Sequence, residues 1–161
     1  MKAVSLDPGK TTGICFASVQ VDGVNHAEFL CLTVEQAELR LAQMYNMLSN
    51  FCEGTDELHI IYEDFSYRNA SRMGLDLTPV KLIGIIEMFR EWHEPKIGFW
   101  KQSAATGKSF YSDDRLKTLG IYEKGKPHGR DATRHMMQWF TFGAGAQFID
   151  IDRIPLMMVP R

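Results

Sequence analysis

KAVSLDPGKTTGICFASVQ, residues 2–20, decides the fold. KAVSL (2–6) is an apolar run of strand length, and Asp7 ends it. DPGKTTG is a tight turn: Pro8 presets φ and Gly9 is free to take φ > 0. TGICFASVQ (12–20) resumes a strand, VDGVN (21–25) reads as a hairpin turn, and HAEFLCL (26–32) as a third strand. The chain therefore opens on a three-stranded meander with a carboxylate at the tip of its first strand.

Beyond the meander, strands alternate with helices. Thr33 is expected to cap a helix over 34–52, with Leu39, Leu41, Met44, Met47 and Leu48 as its apolar stripe. LHIIYE (58–63) is a short buried strand ending at Glu63, and DFSYRNASRMGLDL (64–77) is a polar loop. Thr78-Pro79 opens a helix to about residue 93, with proline at its first position. KIGFW (96–100) is the next apolar run, and SFYSDDRLKTLG (109–120) a short helix stopped by Gly120. EKGKPHG (123–129) reads as loop and RDATRHMMQWFTF (130–142) as the last long helix. The remainder, to Arg161, is an extra strand or a tail. The order β-β-β-α-β-α-β-α predicts an α/β fold, a mixed five-stranded sheet with helices on both faces.

The acids are placed unusually for so ordinary a composition. Asp7 and Glu63 end buried strands, and His128 and Asp131 lie in HGRDATRH at the start of the last helix. Carboxylates at such positions are costly unless a cation or hydrogen-bond donors compensate them. Several of them gathered from distant parts of a chain are what a Mg²⁺ site looks like. Residues three apart on a helix share a face, so His128 and Asp131 can address one site if both are helical. Asp64, next to Glu63, points the other way on a strand.

At 161 residues, 45% apolar and 24% charged, the chain has the material of one domain, residues 1–161, with a single core. No apolar run approaches the roughly 20 residues of a membrane span, and no signal peptide opens the sequence; a cytoplasmic protein is expected. Cys15, Cys31 and Cys52 form no CxxC pair and read as reduced core thiols rather than zinc ligands. The net charge of −2 conceals an asymmetry. Residues 1–80 carry 5 Lys/Arg against 11 Asp/Glu, whereas residues 81–161 carry 13 against 9. A basic second half beside an acidic pocket suits a phosphate polyanion held against metal ions. GKTTG and TGKS do not form a nucleotide-binding loop, because the glycine required five residues before each GK is Val4 in one case and Gln102 in the other.

LDPGKTTG, IIYEDF, LIGIIE, KQSAATGK and HGRDATRH, in this order along nearly the whole chain, resemble the RuvC-type Holliday junction resolvases, most closely the phage-encoded members, within the ribonuclease H-like superfamily. The resemblance implies that strands one and four are neighbours, so that Asp7 meets Glu63. It further implies a homodimeric, Mg²⁺-dependent endonuclease nicking symmetric strands of four-way DNA in recombination and repair, in a bacterial or phage-infected cell. By matched position Asp7, Glu63, His128 and Asp131 are the metal-site residues for two Mg²⁺, with Mn²⁺ able to substitute. Asp7 would bridge the ions, Glu63 would bind one or orient the water, Asp131 would bind the other, and His128 would be a ligand or a proton carrier. Lys101 and Lys108 flank a position where the resemblance brings a lysine to the scissile phosphate. Arg130 and Arg134 would face DNA or make helix-surface pairs. Phe65, Tyr67, Arg68, Asn69, Ser71 and Arg72 form an aromatic-basic loop suited to a junction centre. The family commonly has an aromatic three positions after the second acid; here Ser66 stands there, between Phe65 and Tyr67. The apolar residues of helix 78–93, with Gly84 among them, exceed one buried stripe and predict a homodimer interface. Two other readings compete: a non-catalytic branched-DNA-binding module, and an actin- or sugar-kinase-like ATP-using domain, which shares the sheet order but needs two such domains.

Overall fold

The computed structural model describes residues 1–21, 27–54, 57–65, 76–93, 97–147 and 156–158. The first strands are β1 (Lys2–Asp7), β2 (Thr12–Val21) and β3 (Ala27–Ala37), followed by helix α1 (Leu41–Cys52). Then come β4 (Leu58–Asp64), α2 (Thr78–His93), β5 (Ile97–Ser103), α3 (Ala104–Phe110), α4 (Asp113–Thr118) and α5 (Pro127–Phe142). A 3₁₀ turn at Ala144–Gln147 and a short strand β6 (Leu156–Met158) complete the described elements. The sheet order is β5-β4-β1-β2-β3-β6. The five expected strands are all present, β6 adding a short parallel edge beside β3. β1 runs antiparallel to β2 and parallel to β4, as a ribonuclease H-like sheet requires. None of the described helices is long and apolar enough to cross a membrane.

Two cores sandwich the sheet, and strand alternation sorts side chains between them. Val4 and Leu6 of β1, with Ile60 and Tyr62 of β4, pack on Met44 and Leu48 of α1 and Leu82, Ile86 and Phe89 of α2. The opposite parity, Ala3, Cys15, Leu32, Val34 and Ile61, packs on Met136, Met137 and Phe140 of α5 and on Leu116 of α4. Asp7 shares the parity of Ala3, and Glu63 that of Ile61. Both acids therefore end on the face that α5 covers.

Three boundaries differ from the sequence reading. Residues 33–37 are strand, not helix: β3 stays paired with β2 as far as Ala37 opposite Thr12, and Val34 is buried there. Helix α1 instead starts at Leu41, where the Gln43 side chain accepts from the Arg40 N–H at 2.8 Å. In its expected stripe Met44 and Leu48 are buried, Leu41 is 41% exposed and Leu39 precedes the helix. The segment 109–120 holds parts of two helices. Ser112 begins α4 by accepting from the Arg115 N–H at 3.2 Å, while Tyr111 is buried and joined through its hydroxyl to Thr141 at 2.5 Å. Gly120, at φ 72°, lies just beyond the end of α4, as expected. Finally α5 starts at Pro127 rather than residue 130, so His128 is helical and shares a face with Asp131. The hairpin turn expected at 21–25 falls almost wholly outside the described residues.

Candidate active site

Two glycines let α5 reach the acid tips. Gly13 stands opposite Asp7 in the β1–β2 register, and a Cβ on it would lie 1.9 Å from the His128 carbonyl oxygen. A Cβ on Gly129 would lie 2.8 Å from a Val34 methyl and 2.9 Å from the Glu35 carbonyl. The first turn of α5 thus sits directly on the backbone of β2 and β3. Lys126 pins the same turn by donating to the Val34 carbonyl at 2.8 Å.

This contact brings the predicted acids together. His128 Nδ1 lies 3.0 Å from Asp7 Oδ2. Burial raises the Asp7 carboxyl above its ordinary value; the His128 hydrogen bond opposes this, and the charges of Glu63 and Asp131 add to it. Asp131 is held by Lys108 Nζ at 2.9 Å and by Arg134, which also grips Asp113. The hydrogen bond to Asp131 raises the Lys108 ammonium, burial opposes it, and Asp131, Glu63 and Asp7 all act on it through space. One ammonium therefore senses all three carboxylates.

Not every candidate reaches this point. Lys101 is on β5 opposite Tyr62, on the α1–α2 face, and pairs with Asp64 at 3.1 Å. Strand parity places both residues on the opposite face from the acid set, so the structure does not bring Lys101 to the other candidates. Arg130 and Arg134 take the second of their two expected roles, pairing within the chain: their side chains are only 15% and 11% exposed. Arg130 donates to the Glu123 carbonyl at 3.0 Å and lies over the Tyr122 ring, and Arg134 donates from Nε to the Tyr111 carbonyl at 2.8 Å. Phe65 ends the described part of its segment; Tyr67, Arg68, Asn69, Ser71 and Arg72 lie outside the described residues.

Two site residues escape a reading of motifs alone. His135 is 1% exposed, and its Nε2 lies 2.9 Å from Glu63 Oε2; Gln102, beside Glu63 in the β4–β5 register, contacts its Nδ1 at 2.8 Å. The available signal was the spacing of His128, Asp131 and His135, which recur at i, i+3 and i+7 on one helix face.

Among the described residues no three His, Cys, Asp or Glu side chains form a ready-made metal cage; Asp7, Glu63 and Asp131 are each engaged with a neighbouring cationic or imidazole group. Mg²⁺ does not require such a cage: it keeps several waters and takes one or two protein carboxylates. A buried Asp7 raised further by two neighbouring carboxylates is an excess of negative charge that a divalent cation offsets. The donor chemistry fits that ion.

If the site acts on a phosphate, the two lysines must separate. Lys108→Ala is expected to slow cleavage by roughly 10²-fold, the scale of one lost electrostatic contact at a reacting centre. Lys101→Ala should stay within about threefold of wild type, with single-turnover rates as the measure.

No protein-family model matches the sequence, and no curated protein matches it. Solved structures do. Thermus thermophilus RuvC in complex with Holliday junction substrate superposes with a TM-score of 0.55 at 16% identity, covering 86% of this chain and 92% of that one. The yeast mitochondrial Holliday junction resolvase Ydc2 gives 0.55 at 13% identity, covering 90% and 80%. The fowlpox virus Holliday junction resolvase gives 0.52 at 15%, covering 86% and 97%. The fold of this chain is the ribonuclease H-like fold of RuvC and these other Holliday junction resolvases.

Proposed function

We propose that this protein is a structure-specific DNA endonuclease that resolves four-way junctions by paired, symmetric nicks. The observation that carries the reading is the meeting of Asp7, Glu63, Asp131 and His128 from two central strand tips and one helix start, with Lys108 in electrostatic reach of all three carboxylates. Asp7, Glu63, Asp131 and His128 are the residues that would hold two Mg²⁺, or Mn²⁺ in their place. When bound, the ions would supply a hydroxide at neutral pH and charge on the leaving oxygen. Around them, His128 holds the Asp7 carboxylate through Nδ1 and, being 45% exposed, is open to an incoming water. Lys108, half exposed, is able to leave Asp131 for a phosphate oxygen without unfolding anything. The likeness to a RuvC solved with its junction substrate supports branched DNA as the partner.

The test is cleavage, with Mg²⁺, of labelled four-way junction, flap and linear duplex. Symmetric nicks in the junction support the reading. Binding without nicks favours the silent DNA-binding module, and ATP hydrolysis without DNA favours the kinase-like alternative.

Paired nicking needs two sites on a two-fold substrate, and hence a homodimer. Helix α2 supports this: Leu82, Ile86 and Phe89 are buried within the chain, Ile83 and Ile85 are only partly covered, and a Cβ on Gly84 would meet nothing within 4 Å. Ile85→Asp is expected to convert a sedimenting dimer to monomer and to replace paired by single nicks.

A further inference from the structure

The Glu63 carboxylate is gripped from behind. His135 Nε2 lies 2.9 Å from Glu63 Oε2, within hydrogen-bond distance. The ring is itself fixed on its other side. Gln102 Nε2 donates to the His135 carbonyl at 3.3 Å, which turns its Oε1 toward His135 Nδ1 at 2.8 Å. With Nδ1–H donating to Gln102 Oε1, Nε2 bonds Glu63 where a second proton lies between them, on the ring or on the carboxyl. Three elements contribute: Glu63 from β4, Gln102 from its register partner on β5, and His135 from the second face-repeat of α5. The ring is 1% exposed, whereas the Glu63 side chain is 20% exposed, so the pair has a dry back and an open front. Among the described residues Glu63 Oε1 has no hydrogen-bond or ion-pair partner.

We propose that His135, locked by Gln102, is the positioning residue that sets the Glu63 carboxylate for cation binding, holding one oxygen so that the other faces the site. The inference rests on the metal-site reading above and deepens it. A carboxylate on a strand tip turns about its last side-chain bonds; tying one oxygen removes that freedom before the cation arrives. The preceding residue, Arg134, does the same for Asp131 by bracing it against Asp113. Consecutive α5 residues thus orient acids from two different elements.

The experiment titrates the purified full-length protein, without DNA, with Mn²⁺ and follows the loss of the free-ion electron paramagnetic resonance signal. His135→Ala is expected to weaken Mn²⁺ binding about 10- to 100-fold, the usual cost of removing a partner behind a metal-binding carboxylate. His135→Gln, whose amide reaches the same oxygen, should recover most of that loss. Gln102→Leu keeps the ring but frees its far nitrogen, and should weaken binding several-fold. It also serves if His135→Ala does not fold. Thermal unfolding is measured in parallel, because a merely structural histidine would lower the melting temperature and leave Mn²⁺ affinity unchanged. Unchanged affinity in His135→Ala, or in Gln102→Leu should the alanine variant not fold, overturns the positioning role and leaves the nuclease reading standing. A wild-type protein that binds no Mn²⁺ overturns both.

Discussion

Replacing Asp7 by Asn is expected to abolish junction cleavage, by roughly 10³-fold or more, while leaving the protein at least as stable as wild type. The rate effect follows from the place of Asp7: it lies at the tip of β1 between His128 and the charges of Glu63 and Asp131, where the proposed function would have a cation held. Loss of about 4 kcal/mol of transition-state charge stabilisation corresponds to that factor. The stability effect follows from the raised Asp7 carboxyl. A group whose folded-state pKa lies above its unfolded value contributes stability at low pH and loses it as pH rises through the raised value. At neutral pH the ionised Asp7 is therefore a liability, with burial as its largest cause. Asn keeps the shape and an acceptor for His128 and carries no charge. The melting temperature of Asp7→Asn should equal or exceed that of wild type near pH 8, and the advantage should shrink as pH falls through the raised Asp7 value. A variant that both cleaves normally and melts earlier at pH 8 would contradict each half of the argument.

Gly13→Ala is the second large effect, and its signature is the opposite. The added methyl would fall 1.9 Å from the His128 carbonyl oxygen and 2.9 Å from the Gly129 nitrogen. These are backbone atoms, so no change of rotamer relieves the clash; the first turn of α5 must lift from the sheet. Overpacking of this kind costs roughly 1–3 kcal/mol or more. Lifting the turn by about 1 Å carries His128 away from Asp7, and displacements of that size cost about 10²-fold in rate. Urea unfolding and cleavage assays on the same preparation should show both losses. Asp7→Asn lowers the rate alone; Gly13→Ala lowers rate and stability together.

Much of the site was legible in the chain because the signals were local. An acid ending each of two strand-length apolar runs, and a His-x-x-Asp pair opening a helix, are readable from residue type and spacing. The hairpin, the alternation of later strands with helices, and the opposed directions of Glu63 and Asp64 follow from periods of 2 and 3.6. The errors were of another kind. Thr33–Ala37 has a usable helix cap but is held as strand by Thr12–Phe16 of β2 lying alongside, and pairing across a sheet is not written in the segment that pairs. Lys101 and Lys108 were both offered by the resemblance as the lysine near a phosphate, yet one lies on a strand and the other on a helix, on opposite sides of the sheet.

What the sequence determined by itself was the inventory: which elements form, in what order, and which carboxylates end them. Tertiary structure alone decided how that inventory is aimed. His135 is an ordinary helix residue until the seating of α5 on the sheet turns it onto Glu63, and Arg134, already the i+3 neighbour of Asp131, until it also meets Asp113 of α4. The physical reason is that hydrogen bonds and clashes are set within tenths of an ångström by backbones far apart in sequence, as in the contacts of Glu63 with His135 across 72 positions and of Asp7 with His128 across 121. Local propensity carries no information at that range.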